Sequence, residues 1–477
     1  MSANVLNVDI AIIGAGSGGL SVAAGAAQLG ASTVLIEKGR MGGDCLNTGC
    51  VPSKALLASA KAARRWRHDR ALGVNHAAPD VDFAAVNRHV QEAIAAIAPN
   101  DSVERFEGLG VKVIQGAARF AGPREVEVDG TRIRARRFVV ATGSKAALPP
   151  IPGLDRVPHF TNETIFGNTA LPRHLIVVGG GPIGLEMAQA HRALGSEVTV
   201  LEAFHILPKD DAELAEMLRE RLVADGIAIR EQVKIARVEP EGDGVAAVIE
   251  THDGGRERIA GSHLLVAAGR RPNLAGLDLD LAGIAHGPKG IAVDARLRTT
   301  NRNVFAIGDV AGGPQFTHVA GYHAGIVIRN ALFRQPAKVD YTALPWVTYT
   351  DPELAHVGLT EAQARAAHGD RIRVLRWPFR ENDRAQTERE THGLLKAVTT
   401  PSGRILGASI LGAHAGELIQ VWVLAMGQGL NVKALAGMIA PYPTLGEVSK
   451  RAAGSFFTPK LFGPRTRALV RLLSWFG

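Results

Sequence analysis

The feature that most constrains this chain is a glycine motif that occurs twice, with a constant offset of 165 residues between the two copies. The six glycines of the two copies are Gly14, Gly16, Gly19, Gly179, Gly181 and Gly184. Each copy follows a short apolar run, typical of a buried parallel strand, and opens a stretch with the pattern of a helix. An acidic residue stands 23 positions after the first glycine of each copy, as Glu37 and as Glu202.

This order of strand, glycines, helix, strand and acid indicates a dinucleotide-binding unit. The first glycine permits a tight turn, the second lets the backbone approach a pyrophosphate, and the third allows close packing of helix and strand. The helix N-terminus then faces the phosphates, and the acid accepts hydrogen bonds from ribose hydroxyls. The alternative, that the glycines only assist packing, leaves two coincident acids unexplained. We therefore predict an α/β fold with two doubly wound, Rossmann-like domains, one for a flavin and one for a nicotinamide.

The second unit is predicted to prefer NAD(H) over NADP(H). The carboxylate of Glu202 would repel the 2′-phosphate that distinguishes NADP. No arginine occurs between residues 203 and 210, where one would pair with that phosphate, and Lys209 is the nearby cation.

Cys45 and Cys50 are the only cysteines in the 477-residue sequence. Two cysteines exclude a disulfide-scaffolded domain and a metal site built from cysteines alone, and no metal site is predicted. The four residues between them can be spanned in the first turns of a helix, which would place both sulfurs near its positive end and favour thiolate. The interpretations are two inert, buried side chains or a catalytic redox disulfide. The second also fits a cytoplasmic protein, where surviving disulfides are usually catalytic.

The net charge and residues 464–477 indicate which kinds of partner the protein could bind. A formal charge of +8 permits an anionic ligand and does not indicate nucleic acid. Residues 464–477 have the pattern of a basic amphipathic helix, which we expect to pack on its own domain or on a dimer partner. The alternative is weak contact with a membrane surface. Its polar face carries Arg467, Arg471 and Ser474, and its apolar face carries Leu469, Leu472, Leu473 and Phe476.

At residues 42–54, with the sequence GGDCLNTGCVPSK, the chain resembles the flavin-dependent pyridine nucleotide–disulfide oxidoreductases. This is the family of dihydrolipoamide dehydrogenase, glutathione reductase and mercuric reductase. The resemblance covers nearly the whole chain, with further family-like stretches at residues 139–144, 267–273, 304–309 and 352–361. It implies FAD as cofactor, a homodimer, and active sites that use both chains.

The resemblance also implies roles for matching positions. Cys50 would stack on the flavin, Cys45 would meet the substrate, and Lys54 would lie beside flavin N5 and pair with Glu186. Asp309 would accept hydrogen bonds from the ribityl chain. The other positions assigned to cofactor binding are Gly116, Ala117, Ala141, Thr142, Gly143, Gly269, Gln315, Phe316, Thr317 and His318.

Three features depart from the family pattern. The family usually has a His–Glu pair that serves the partner's active site as acid–base catalyst; here Tyr442 replaces the histidine and Glu447 remains. Tyrosine has a reference pKa near 10, against about 6.5 for histidine, so it is a poor base at neutral pH. Mercuric reductases share this tyrosine but also carry a C-terminal cysteine pair, which this sequence lacks. Pro182 stands where many relatives have a tyrosine that gates the nicotinamide pocket.

A basic stretch after the cysteines has two interpretations. Its residues are Lys61, Arg64, Arg65, Arg67 and Arg70. The favoured interpretation is a solvated helix face. The alternative is a border of the substrate cleft that selects an acidic disulfide.

These observations predict domains and a reaction. The domains are FAD-binding at 1–150 with a return segment at 272–340, NAD(P)-binding at 151–271, α+β dimerisation at 341–463, and the basic tail at 464–477. Electrons are expected to pass from NAD(P)H through FAD and the Cys45–Cys50 disulfide to a disulfide or related thiol-reactive substrate, assisted by Tyr442 of the partner subunit. The alternatives are dihydrolipoamide oxidation, a mercuric-reductase-like activity and a membrane-docked redox or binding module.

Overall fold

A computed structural model describes residues 5–476, without the side chain of Arg67, so the predicted role of that arginine lies outside the described residues. The described residues form two compact units. Unit 1 comprises the residues through Ala58, Asp82–Leu171 and His263–Val339, and unit 2 comprises Ser59–Val81, Pro172–Ser262 and the residues from Asp340 onward. The finer domain boundaries at 150, 271, 340 and 463 remain a prediction.

A mainly parallel sheet forms the centre of unit 1. In sheet order its strands are Val111–Gln115, Thr33–Glu37, Val5–Ile13, Thr131–Val140, Glu125–Val128 and Arg119–Gly122, and Val304–Ala306 also pairs with Thr131–Val140. Strand Glu125–Val128 pairs antiparallel with both of its neighbours. Shorter strands lie at Ser144–Ala146, His263–Val266, Arg270–Pro272, His286–Gly287 and Gly290–Ile291.

Both faces of this sheet are buried. Ile10 and Ile12 pack in one apolar cluster with Val22 of helix Ser17–Gln28, whereas Ile13 packs in a second cluster with Phe120. Successive residues of a strand point to opposite faces, so a run that is apolar throughout can be covered on both sides. The carboxyl ends of the parallel strands then meet at one edge, where ligands of such sheets bind.

The helices of unit 1 connect these strands. They are Ser17–Gln28, Gly43–Asn47, Phe83–Ile97, Val103–Gly108 and Thr317–Ala331, and helix Cys50–Ala71 begins in unit 1 and continues into unit 2. Short 3₁₀ turns lie at Ala98–Asp101, Leu154–Arg156, Ile165–Gly167, Leu279–Ala282 and Gly308–Ala311.

Unit 2 combines a parallel sheet, a meander and an antiparallel sheet. Its parallel strands are His174–Val178, Glu197–Leu201 and Ala228–Arg230, accompanied by helices Pro182–Leu194 and Ala212–Ala224. The meander strands are Lys234–Glu241, Gly244–Glu250 and Arg256–Gly261. The antiparallel sheet has the order Pro345–Thr348, Glu353–Gly358, Ile405–Gly412, Leu394–Thr399 and Arg373–Pro378.

The rest of unit 2 is helical. Its helices are Glu361–His368, Asp383–Glu388, Ala415–Leu418, Gln420–Gly427, Val432–Ala436, Glu447–Ser455, Thr458–Leu461 and Pro464–Leu473, with a 3₁₀ turn at Phe379–Glu381. No helix within residues 5–476 has both the length and the apolar character needed to cross a bilayer.

Helix Pro464–Leu473 is amphipathic, but its apolar face is uncovered. Leu469, Leu472 and Leu473 are 52%, 49% and 56% exposed, and Phe476 is 81% exposed. The chain itself does not bury this face, so packing on its own domain is wrong for the described residues, and packing on a dimer partner stays a prediction. Amphipathicity predicts that an apolar face exists, and it does not determine what covers that face.

Candidate active site

The two cysteines lie in different helices. Cys45 is in the short helix Gly43–Asn47, and Cys50 is the first residue of helix Cys50–Ala71. The expectation that one helix carries both sulfurs is therefore wrong. The chain breaks at a position where a side chain would be crowded, since a Cβ at Gly49 would lie 2.9 Å from Asp44 Oδ2 and 3.0 Å from the Asp44 carbonyl oxygen. Only Cys50 sits at the positive end of the long helix.

The environment makes the two thiols unequal. Both are free thiols in the structure, with Cys50 exposed and Cys45 half-buried. A hydrogen bond between them is the largest effect, and it raises the pKa of Cys45 and lowers the pKa of Cys50 to about 6. The Thr317 hydroxyl, 3.4 Å from the Cys50 sulfur, and the charge of Lys54 also lower the pKa of Cys50. At neutral pH Cys50 is therefore the thiolate and Cys45 the protonated thiol.

An ion network lies beside the cysteine loop. Arg270, only 13% exposed, approaches Asp44 at 3.1 Å and Asp309 at 3.7 Å. The Ser144 hydroxyl donates to Asp309 at 2.5 Å and accepts from Arg270 Nε at 2.8 Å. Burial raises the pKa of Asp309, while Ser144 and Arg270 oppose that shift. Asp44 also accepts from Thr48 at 2.7 Å, which ties the network to the turn between the cysteines.

The sequence alone did not single out Arg270 or Asp44 as site residues. Each stood inside a family-like stretch, but the two are 226 positions apart and nothing local indicates that they meet. The buried His323 was missed as well. Its Nδ1 accepts a hydrogen bond from the backbone N–H of Gly308, next to Asp309, and burial lowers its pKa to about 4, so it stays neutral.

The first glycine motif leaves an open cradle at the start of helix Ser17–Gln28. Gly14 has φ +105°, and a Cβ there would lie 2.5 Å from the carbonyl oxygen of Ala141. A Cβ on Gly19 would lie 1.9 Å from the Gly14 oxygen, so this position allows only glycine. By contrast, a Cβ on Gly16 would meet only Gly43 Cα, at 3.9 Å. Space remains there for a pyrophosphate in front of the helix N-terminus, which fits FAD.

Glu37 closes the same cradle. Its carboxylate accepts from the N–H of Ala15 at 2.6 Å and from the N–H of Gly39 at 2.7 Å. The N–H of Gly116 donates to the Glu37 carbonyl oxygen at 2.8 Å, which brings Gly116 and Ala117 to the same edge. Each carboxylate oxygen accepts more than one bond, so ribose hydroxyls could still donate to Glu37.

Other predicted cofactor contacts also lie in unit 1. Thr142 Oγ1 donates to the Asn273 carbonyl oxygen at 2.8 Å, and the N–H of Asn273 donates to the Gly143 oxygen at 3.0 Å. Gly269, with φ +123°, accepts from the N–H of Ala147 through its carbonyl oxygen at 3.0 Å. Residues 315–318 lead into helix Thr317–Ala331, with Phe316 and His318 stacked at 5.2 Å.

The second glycine motif repeats this geometry in unit 2. A Cβ on Gly184 would lie 1.9 Å from the Gly179 oxygen, whereas a Cβ on Gly181 would meet nothing within 4 Å. The Glu202 carboxylate accepts from the N–H of Gly180 at 2.6 Å and from that of Phe204 at 2.9 Å. These are the counterparts of the bonds that Glu37 accepts. The open space at Gly181, which we call the second cradle, fits a second dinucleotide. Pro182 is the first residue of helix Pro182–Leu194.

The remaining predicted catalytic residues are distributed over both units. Lys54 lies one turn after Cys50 in unit 1. Glu186 lies in unit 2, where its carboxylate accepts from the N–H of Tyr349 at 2.9 Å. The predicted pairing of Lys54 with Glu186 remains a prediction.

Tyr442 contacts an acid that the sequence did not indicate. Its side chain is 69% exposed, and its hydroxyl donates to Asp383 Oδ2 at 3.0 Å. This bond raises the pKa of Tyr442 above its ordinary value, and the charge of Glu447 adds to the effect. Glu447 itself is the first residue of helix Glu447–Ser455. At neutral pH Tyr442 is therefore even less often deprotonated than a free tyrosine, so it is poorly suited to accept a proton.

Comparisons with known proteins agree on the family that this chain is similar to. Residues 8–324 match the family described as pyridine nucleotide-disulphide oxidoreductase, and residues 344–453 match its dimerisation domain. A mercuric reductase of Lysinibacillus sphaericus is 36% identical over 453 residues, covering 94% of this chain and 83% of that protein. A dihydrolipoyl dehydrogenase of Thermus scotoductus is 37% identical over 456 residues, covering 93% and 96%. The Cu(II) complex of the HOCl-induced flavoprotein disulfide reductase RclA from Escherichia coli has a TM-score of 0.85 at 30% identity, covering 94% of this chain and 99% of that chain.

Proposed function

The chain belongs to the pyridine nucleotide-disulphide oxidoreductase family, and we propose that it passes electrons from NADH to a disulfide or another thiol-reactive substrate through FAD and Cys45–Cys50. The family supports FAD as the cofactor and, through the dimerisation domain, a homodimer. When bound, FAD accepts hydride from NADH and supplies two electrons to the cysteine disulfide. The residues that would hold it are the glycines of the first motif, Glu37 and Asp309.

The unequal pair of thiols carries this proposal. Reduction of the disulfide leaves Cys50 as a thiolate and Cys45 as a thiol that is hydrogen-bonded to it. The Cys45 sulfur attacks one sulfur of a substrate disulfide as its proton moves to the departing sulfur, so no free Cys45 thiolate, which the raised pKa opposes, has to form. The substrate S–S bond breaks, and the first product leaves as a thiol with that proton. The Cys50 thiolate then attacks Cys45, which releases the second product and closes the Cys45–Cys50 disulfide.

Tyr442 supports the reductive direction. The second product leaves as a thiolate and needs a proton, which a tyrosine hydroxyl can donate and then recover from water. Oxidation of a dithiol substrate instead requires a base, and Asp383 raises the pKa of Tyr442 further from neutrality. We therefore infer that disulfide reduction is faster than dihydrolipoamide oxidation. Dihydrolipoamide oxidation is the competing candidate, because dihydrolipoyl dehydrogenases are among the relatives.

Glu202 supports NADH over NADPH. Both oxygens of its carboxylate are fixed by backbone N–H groups next to the second cradle, so its charge stays where a 2′-phosphate would lie. Glu202→Ala should raise the NADPH-to-NADH ratio of kcat/KM by roughly tenfold, about 1.4 kcal/mol. Glu197→Ala, at the opposite end of the same strand, is the matched control and should leave the ratio unchanged.

The test separates disulfide chemistry from other flavin activity. Purified holoenzyme and the variants Cys45→Ser and Cys50→Ser are compared anaerobically with NADH and a panel of disulfides, lipoamide and mercuric ion. Reduction of an artificial electron acceptor, which needs no cysteine, should survive in both variants, whereas disulfide reduction should be lost. Disulfide turnover that persists in Cys45→Ser would disprove the assignment of the nucleophile.

The panel also identifies the substrate class. Mercuric ion turnover would favour the activity named for the Lysinibacillus relative, and oxidation of dihydrolipoamide with NAD would favour that named for the Thermus relative. We further propose the cytoplasm as the compartment, where NADH is supplied and a redox-active cysteine pair is kept in turnover. Cell fractionation tests this placement.

A further inference from the structure

The last 30 residues of the sequence carry charge of one sign. From Val448 onward the sequence contains no Asp or Glu and has six basic residues. These are Lys450, Arg451, Lys460, Arg465, Arg467 and Arg471. Among the described residues, none of the three arginines in helix Pro464–Leu473 forms an ion pair. The positive charge of this helix is therefore available to a partner.

The same segment exposes an unusual amount of apolar surface. In addition to the leucines described above, Leu461, Phe462 and Val470 are each more than half exposed, and Trp475 is 77% exposed. Large apolar side chains in this number are seldom left in water in so short a segment. A surface that is apolar on one side and basic on the other, with aromatic residues at its end, matches the interface of a bilayer.

We propose that helix Pro464–Leu473, with Trp475 and Phe476, docks the protein on the surface of a membrane that contains anionic phospholipid. The apolar face would enter the boundary between headgroups and acyl chains, and Arg467 and Arg471 would pair with lipid phosphates. No part of the helix crosses the bilayer, since its 10 residues are too few. The dimer supported by the family carries two such helices, which strengthens a contact that is weak for one.

Charge favours lipid over a second copy of the chain as the occupant. Two of these helices packed through their apolar faces would leave the arginines of both on the outer sides, without an acid to neutralise them. An anionic bilayer instead neutralises each arginine, and a basic residue near such a surface contributes roughly fivefold to partitioning. Three arginines together should contribute roughly a hundredfold.

The experiment measures co-sedimentation of FAD-loaded, full-length protein with vesicles of phosphatidylcholine alone or mixed with phosphatidylglycerol. The charge variant is Arg465→Gln, Arg467→Gln and Arg471→Gln together. The matched control, Arg124→Gln, Arg302→Gln and Arg371→Gln, removes the same charge from exposed positions elsewhere. A third variant, Leu472→Ser with Phe476→Ser, removes apolar contact without changing charge.

The proposal expects binding to the mixed vesicles that weakens at high salt, because salt screens the arginines. The charge variant should lose binding by roughly a hundredfold, the apolar variant should also lose binding, and the control should bind like the unaltered protein. NADH-dependent reduction of an artificial acceptor should be equal in all of them. Equal binding by the charge variant and the control would overturn the proposal. A larger oligomer in gel filtration that the apolar variant abolishes, without vesicle binding, would assign the helix to a second copy and overturn it too.

Discussion

The Thr317 hydroxyl stabilises the Cys50 thiolate from outside the cysteine pair. Its oxygen lies 3.4 Å from the Cys50 sulfur, across 267 positions of sequence. Thr317→Val keeps the shape of the side chain and removes the donor. A hydrogen bond to a charged group contributes about 1.5 kcal/mol at the lower end of its range, which suits a contact of this length. At 1.36 kcal/mol per unit, the pKa of Cys50 should rise by about one unit.

This shift changes the population of the reactive form. With a pKa of about 6, Cys50 is about nine-tenths thiolate at pH 7. In Thr317→Val the pKa becomes about 7, and the thiolate fraction falls to about one half. The change should therefore be clear in any measurement that depends on the thiolate.

The assay is alkylation of the reduced protein by iodoacetamide, followed by mass spectrometry that resolves Cys45 from Cys50. The rate at Cys50 is measured from pH 5 to pH 9, and its midpoint reports the pKa. Thr317→Ser keeps a hydroxyl at the same place and serves as the matched control, with a midpoint near that of the unaltered protein. If Thr317→Val and Thr317→Ser have the same midpoint, the hydroxyl does not stabilise the thiolate and the reasoning is refuted.

Three further predictions concern the second cradle, a buried carboxyl and the acid–base residue. Gly184→Ala should lower the melting temperature and abolish NADH binding while FAD stays bound, since its Cβ would lie 1.9 Å from a carbonyl oxygen; Gly181→Ala, with open space, should melt normally. Asp210→Asn keeps the acceptor for the Trp346 indole and removes a carboxyl whose pKa burial raises from 3.8 to about 6. The ionised form is the destabilised one, so in chemical denaturation the variant should gain stability over the unaltered protein as pH rises from about 4 to about 6, reaching ~3 kcal/mol by pH 8, with little difference below pH 4. Tyr442→His should raise dihydrolipoamide oxidation by roughly tenfold or more, because imidazole is a better base at neutral pH, and Tyr442→Phe should not.

Elements with a strong local pattern could be predicted from the sequence. The apolar run expected before the first glycine motif is observed as strand Val5–Ile13, and the helix expected after the second motif is observed as Pro182–Leu194. Both are set by apolar periodicity and by the glycines that flank them, which are local signals. The family and the α/β fold followed from the same motifs.

The parts that could not be predicted depend on contacts between distant residues. The break between the cysteines lies where Gly49 packs against Asp44, while the spacing alone fits one helix equally well. The bond from Tyr442 to Asp383 joins residues 59 positions apart, and the nearer acid, Glu447, was the natural expectation. The periodicity of apolar residues does not indicate such long-range contacts, because they depend on how whole helices and strands pack.

Cys45 and Cys50 are the only cysteines of the sequence and differ in pKa, which has a practical consequence. Because the sequence has no other cysteine, no background of silent thiols has to be removed before the protein is labelled. In reduced protein near pH 7, a first reagent should modify Cys50 selectively, and a second reagent at higher pH should then reach Cys45. Two different dyes could thus be placed five positions apart in the unaltered chain, as a reporter of how the active-site loop moves during turnover.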